Sequence, residues 1–180
     1  MLGLILAQVF GAVALILICI SYFAKNKLKF HLLQIGADIF YGFAFFVVNS
    51  YVAGIITLIS SIRCLYLYIA EKHNFKYKNH FLTIFILAYA GVTIGFWQSW
   101  LDLIPLFTAI MFAIAYACKN LQLLRYLSLA PNLILAGFNI YTQTYVSAIL
   151  DLIEFCVIIV AIIKFKKSAK DNQNTAPKVE

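Results

Sequence analysis

The chain has 180 residues, 64% of them hydrophobic and 12% charged, with a mean hydropathy of +0.92. Soluble domains run near half apolar and a quarter charged, so this composition excludes a soluble globular protein and indicates a chain that crosses a bilayer several times. The formal net charge of +7 sits beside apolar runs rather than on an amphipathic face, which argues against nucleic acid as a partner.

Met1 opens an apolar run that reaches Ala24. It lacks a basic n-region, exceeds a normal signal h-region and is followed by no small-x-small cleavage site, so it reads as the first span. Polar breaks then separate Leu32 to Val48, Tyr51 to Ala70, Phe81 to Trp97, Leu101 to Cys118, Leu123 to Tyr141 and Tyr145 to Phe165. Each run approaches the ~20 residues that a transmembrane helix needs. None shows the period-2 alternation of a strand. The sequence therefore predicts an all-α membrane protein with seven transmembrane helices. The tail SAKDNQNTAPKVE is polar and is expected to be disordered.

Charge orients the bundle. Lys25, Lys27 and Lys29 follow span 1, and Lys72, Lys76 and Lys78 follow span 3. Lys119 and Arg125 follow span 5, while Lys164, Lys166, Lys167, Lys170 and Lys178 follow span 7. With Arg63 near the inner end of span 3, all 14 basic residues fall on one side. The positive-inside rule then puts the N-terminus outside and the C-terminus in the cytoplasm. Trp97 and Trp100 bracket the outer turn between spans 4 and 5, at the depth where amphipathic rings prefer to lie.

An ungapped internal shift lays ISYFAKN (Ile20 to Asn26) on IAYACKN (Ile114 to Asn120), and SYVAGIITLI (Ser50 to Ile59) on TYVSAILDLI (Thr144 to Ile153). Spans 1 to 3 thus match spans 5 to 7 in a parallel 3+1+3 repeat about an axis along the membrane normal. The expected organisation is a first triple-helix unit at 2–71, a linker helix at 81–97, a second unit at 101–166 and a cytoplasmic tail at 167–180. A site is expected between the two units.

This layout resembles the SWEET and PQ-loop (MtN3-like) transporter fold group. The stretch DIFYGFAFFVVNSYVAGIITLISSIRCLYLY more closely resembles the YgjV family of bacterial inner-membrane proteins. The resemblance implies a multi-pass protein of the bacterial inner membrane that transports or facilitates passage of a small polar solute. The alternative is a non-transporting receptor or accessory protein that uses the same central cavity. A homo-oligomer stays open. SWEET-like helices usually carry prolines in spans 1, 2, 5 and 6; here only Pro105 and Pro131 are present, and their repeat mates are Gly11 and Ala37. Hinge bending is therefore expected in the second half, with Gly11 and Gly36 softening the first.

Polar residues inside the spans are the candidate site. A guanidinium in hydrocarbon costs about 3 kcal/mol on insertion scales, so Arg63 needs compensation. Asp38 and Arg63 flank the turn near residue 50 at similar spacing, which at 1.5 Å per residue puts both about 18 Å from it. Three readings of Arg63 stay open: an ion pair with Asp38 that locks the hairpin, the same pair acting as a gate in a wet cavity, or snorkelling to a lipid phosphate. On span 7, Asp151 and Glu154 share one face, and their repeat mates Thr57 and Ser60 put a matching polar face on span 3. Thr57, Ser60, Arg63, Asn132, Asp151 and Glu154 are thus the expected substrate-binding set.

Glu154 is a candidate proton carrier, or alternatively a partner for Arg63 across the axis. Asn132 either binds substrate or bonds a carbonyl released by Pro131. Gln8, Asn49 and Asn139 are expected to make interhelical hydrogen bonds, and Asp102 to be a solvated boundary carboxylate.

No catalytic or metal site is legible, and no cofactor is implied. His31, His73 and His80 fall in loops without partners at ligand spacing. Ser60 and Ser61 have no base at their depth. Cys19, Cys64, Cys118 and Cys156 lack paired spacing and read as small packing residues.

Overall fold

The computed structural model describes residues 2–47, 51–73, 75, 78–97, 99–142 and 145–174. Among them the chain forms seven α-helices and one 3-10 turn. These are α1 (Leu2–Tyr22), α2 (Lys27–Val47), α3 (Tyr51–Lys72), α4 (Lys78–Gly95), the turn Trp100–Asp102, α5 (Leu103–Ala117), α6 (Leu121–Tyr141) and α7 (Tyr145–Asn174). No strand occurs among the described residues. In α1, α2, α3, α6 and the combined turn and α5, a segment is long and apolar enough to cross a membrane, and α4 carries the shorter apolar segment Leu82–Gly95. Large apolar side chains such as Ile16, Leu87, Ile94 and Ile163 face outward. A bilayer satisfies them where water would not.

Helix starts follow local chemistry. Asn26 precedes α2, and its Oδ1 accepts the Lys29 backbone N–H at 2.8 Å. Asn120 does the same for α6, accepting Gln122 N–H at 2.8 Å. These caps satisfy amides that would otherwise be orphaned at the first turn, which explains why α2 and α6 begin before their apolar runs. The two Lys-Asn loops of the internal repeat are therefore helix-start signals. Asp102 is more than a solvated carboxylate: its Oδ2 accepts the Ser99 N–H at 2.9 Å, closing a capping box before α5.

Consecutive helices pack in order: α1 on α2, α2 on α3, α5 on α6 and α6 on α7, with α4 lying against α3 and α5. The two triplets meet through α1 with α7 and α3 with α5. In the α2–α3 hairpin, a Cβ on Gly54 would lie 3.0 Å from the Phe46 ring, and one on Gly42 would lie 3.2 Å from Leu58. Small residues here let the backbones approach closely. The buried core, including Tyr22, Phe30, Leu67, Tyr116, Leu124 and Ile162, lies toward the lysine-bearing ends of the helices.

Several expectations change. His31 belongs to α2 rather than a loop and is fully buried, its ring edge-on to Phe30 at 5.5 Å. His80 lies in the first turn of α4, because that helix starts at Lys78 rather than at the first apolar residue. Lys27, read as a loop charge, pairs with Glu71 at 3.3 Å and ties the start of α2 to the end of α3. Pro105 lies in the first turn of α5, where a missing N–H is tolerated, so it opens that helix instead of hinging it; Pro131 lies inside α6. Gln8 is exposed on α1 instead of bridging helices. Helix α7 continues to Asn174 past the expected order boundary at 166, since no Gly or Pro interrupts SAKDNQN. Asn49 and residues 175–180 of the tail lie outside the described residues.

Candidate functional site

Between the two triplets lies a cavity of about 590 Å³. Its walls come from α1, α2, α3, α5, α6 and α7, so neither triplet forms it alone. The lining runs from Ile18, Gln34 and Tyr116, next to the packed core, to the exposed Thr142 and Ser147 at the opposite end. The bundle is thus packed at its lysine-bearing end and hollow toward the other.

Five of the six expected binding residues line this cavity: Thr57, Ser60, Arg63, Asp151 and Glu154. The helical period puts Thr57, Ser60 and Arg63 on one stripe of α3, and Asp151 and Glu154 on one stripe of α7. The sixth, Asn132, is buried behind the wall and acts on Glu154. Its Nδ2 donates to Glu154 Oε1 at 3.2 Å and to the Ser128 carbonyl at 3.0 Å. That carbonyl is not the one Pro131 leaves free, which belongs to Leu127 by the i−4 rule.

The carboxyls are held by neutral donors. Tyr22 donates to Glu154 Oε1 at 3.0 Å, and Asn139 Nδ2 donates to Asp151 Oδ2 at 2.7 Å. Asn139 is therefore the interhelical bond expected of it, joining α6 to α7. Ser60 Oγ lies 2.9 Å from the Tyr89 hydroxyl, and Thr57 donates to the Ala53 carbonyl at 2.7 Å.

Arg63 and Asp38 do not form the direct ion pair that their depth suggested: among the described residues the salt bridge is Lys27–Glu71. Instead Arg63 Nη2 donates to the Cys64 sulfur at 3.8 Å. Glu154 does not take Arg63 either. The guanidinium is 3% exposed and lies 5.0 Å from the Tyr116 ring centroid and 6.0 Å from that of Tyr89. Aromatic faces stand where a carboxylate was expected and offer the cation a stabilising surface. Snorkelling is excluded by this burial.

Sequence reasoning missed Tyr22, Tyr116 and Arg125. Tyr22 and Tyr116 were visible in the matched ISYFAKN and IAYACKN segments, where the tyrosine is common to both. Arg125 counts in the sequence only as one of the charges that orient the bundle. It is buried in α6 and donates from Nε to the Tyr22 carbonyl and from Nη2 to the Ala24 carbonyl, each at 2.9 Å. Its Nη1 donates to Gln122 Oε1 at 2.9 Å, and its guanidinium stacks 4.1 Å over Phe165. The four cysteines are free thiols, Cys64 buried and Cys156 exposed.

These features define a polytopic α-helical membrane protein built around a largely apolar cavity that holds a few polar side chains. Residues 5–169 match the family model Imp-YgjV, described as a bacterial inner membrane protein, and the chain belongs to that family. It is accordingly a protein of the bacterial inner membrane. No curated protein and no solved structure matches it.

Proposed function

We propose that this protein is a small-solute transporter or facilitator of the inner membrane, with its binding site between the α1–α3 and α5–α7 units and no enzymatic activity. One observation carries the reading: a cavity of about 590 Å³, walled by both triplets, gathers Asp38, Arg63, Asp151 and Glu154. Such residues mark solute or proton pathways in membrane proteins. Volumes of this size suit small ligands. The contacts of α1 with α7 and of α3 with α5 support a like-oriented repeat, because a two-fold axis exchanges one for the other. In this reading the N-terminus is outside, the cavity opens outward and the packed end faces the cytoplasm.

A receptor that binds without passing cargo is the second reading. It is favoured by Arg125, whose contacts fasten α6 to the end of α1 at the packed end.

Reconstitution in liposomes tests both. Glu154→Gln keeps an oxygen for Tyr22 and Asn132 but cannot ionise. Flux of a polar solute that this variant loses while remaining folded supports transport. Binding without flux across a broad solute panel supports the receptor.

A further inference from the structure

Arg63 is the most demanding group in the cavity wall. Its Nε and Nη1 are buried and have no hydrogen-bond partner, while Nη2 has only a long contact to the Cys64 sulfur. Asp38 presents the complementary deficit, since its buried Oδ2 also has no partner. Both residues line the same cavity, at similar counted depth along α2 and α3, so one small molecule can span them. Buried polar groups are almost always bonded, and a charged one left unmade carries a large desolvation penalty. Two such deficits of opposite sense, side by side in a cavity, mark a place that a ligand completes.

The chemistry of that ligand follows from the two deficits. Unpartnered guanidinium N–H groups call for an anionic oxygen, best a planar carboxylate. The Asp38 oxygen calls for a hydroxyl or amine donor. Because the two residues line one cavity at similar depth, the donor has to sit close to the carboxylate. The aromatic rings of Tyr41, Phe45, Phe112 and Phe138 leave the rest of the cavity to an apolar remainder. We propose that the Arg63–Asp38 end of the cavity binds a small carboxylate carrying a hydrogen-bond donor on the adjacent carbon, that is, an α-hydroxy or α-amino acid. A neutral sugar would satisfy Asp38 and leave the guanidinium without a counter-charge. This inference deepens the transport reading and rests on it for passage, though not for binding.

The test is calorimetric titration of the full-length protein in nanodiscs with two matched series. L-lactate, L-alanine, 3-phenyllactate and L-phenylalanine carry both groups. Propionate and 3-phenylpropionate lack the donor, and lactamide and phenylalaninamide lack the carboxylate. The expected result is that a hydroxy or amino acid of at least one series binds roughly tenfold or more tightly than both of its controls and than glucose. The arm that wins names the class. Arg63→Gln and Asp38→Asn are expected to abolish the preference.

Absence of binding by all four acids, or equal binding of acids and controls, overturns the inference. Because the analogues are read on the native protein, a variant that fails to fold does not blunt the test. Binding of an acid without its flux into liposomes leaves the inference standing and removes the transport reading. Flux of glucose with no binding of any of the acids does the reverse.

Discussion

The hydroxyls of Tyr22 and Tyr116 lie 3.5 Å apart although the residues are 94 positions apart in the chain. That separation equals the offset at which ISYFAKN matches IAYACKN, so the two tyrosines hold the same place in the matched segments. The pair sits in the packed core immediately below the cavity, and Tyr22 continues upward to Glu154.

Removing one hydroxyl is expected to have unequal effects. Tyr22→Phe keeps the edge contact with Phe30 but strips a hydrogen bond from a buried carboxyl, a loss of about 1–3 kcal/mol. Tyr116→Phe removes only the long contact to Tyr22 and should change stability by under about 0.5 kcal/mol. Unfolding in mixed micelles gives the order directly. A Tyr116→Phe loss equal to or larger than that of Tyr22→Phe contradicts this account.

Arg125→Ala should be among the most damaging single changes outside the cavity. It leaves the Tyr22 and Ala24 carbonyls unsatisfied where the chain turns from α1 toward α2 and bares the Phe165 face, for a combined loss of about 3 kcal/mol. Arg125→Lys keeps the charge but has no fork to reach both carbonyls, so it should recover less than half. Thermal denaturation in detergent of the three proteins tests the ranking; full recovery by lysine would show that charge alone matters.

The close α2–α3 approach predicts a steric effect. Gly54→Leu forces a side chain into the Phe46 ring and should destabilise by about 1–3 kcal/mol, whereas Gly91→Leu, with open space around its Cα, should be near neutral. Comparable effects at both sites would refute the packing argument. Expression level and melting temperature in detergent measure both.

Orientation is open to a labelling test. In a background with the four native cysteines replaced by serine, Ser99→Cys should react with a membrane-impermeant maleimide added to intact spheroplasts, and Lys119→Cys only after lysis. The reverse pattern would invert the bundle and place the cavity mouth in the cytoplasm.

The helices were legible because apolar run length is a strong signal, and α1, α3, α6 and α7 begin within a few residues of where the polar breaks predict. Candidate wall residues were legible because period and depth follow from counting along a helix. What counting does not give is rotation about the helix axis. Asp38 and Arg63 both line the cavity, yet helix phase turns the guanidinium toward Cys64 and Tyr116 rather than into an ion pair with Asp38. His31 looked like a loop residue because the apolar run of span 2 begins only after it, at Leu32. The asparagine cap at 26 carries it into α2.

The Tyr22 hydroxyl and the Asn132 amide converge on one oxygen of Glu154. A guest that donates a proton to that same oxygen has to evict one of them, and evicting Tyr22 also frees it from Tyr116. Filling the chamber and loosening its floor would then be a single event, a latch that the occupant itself lifts.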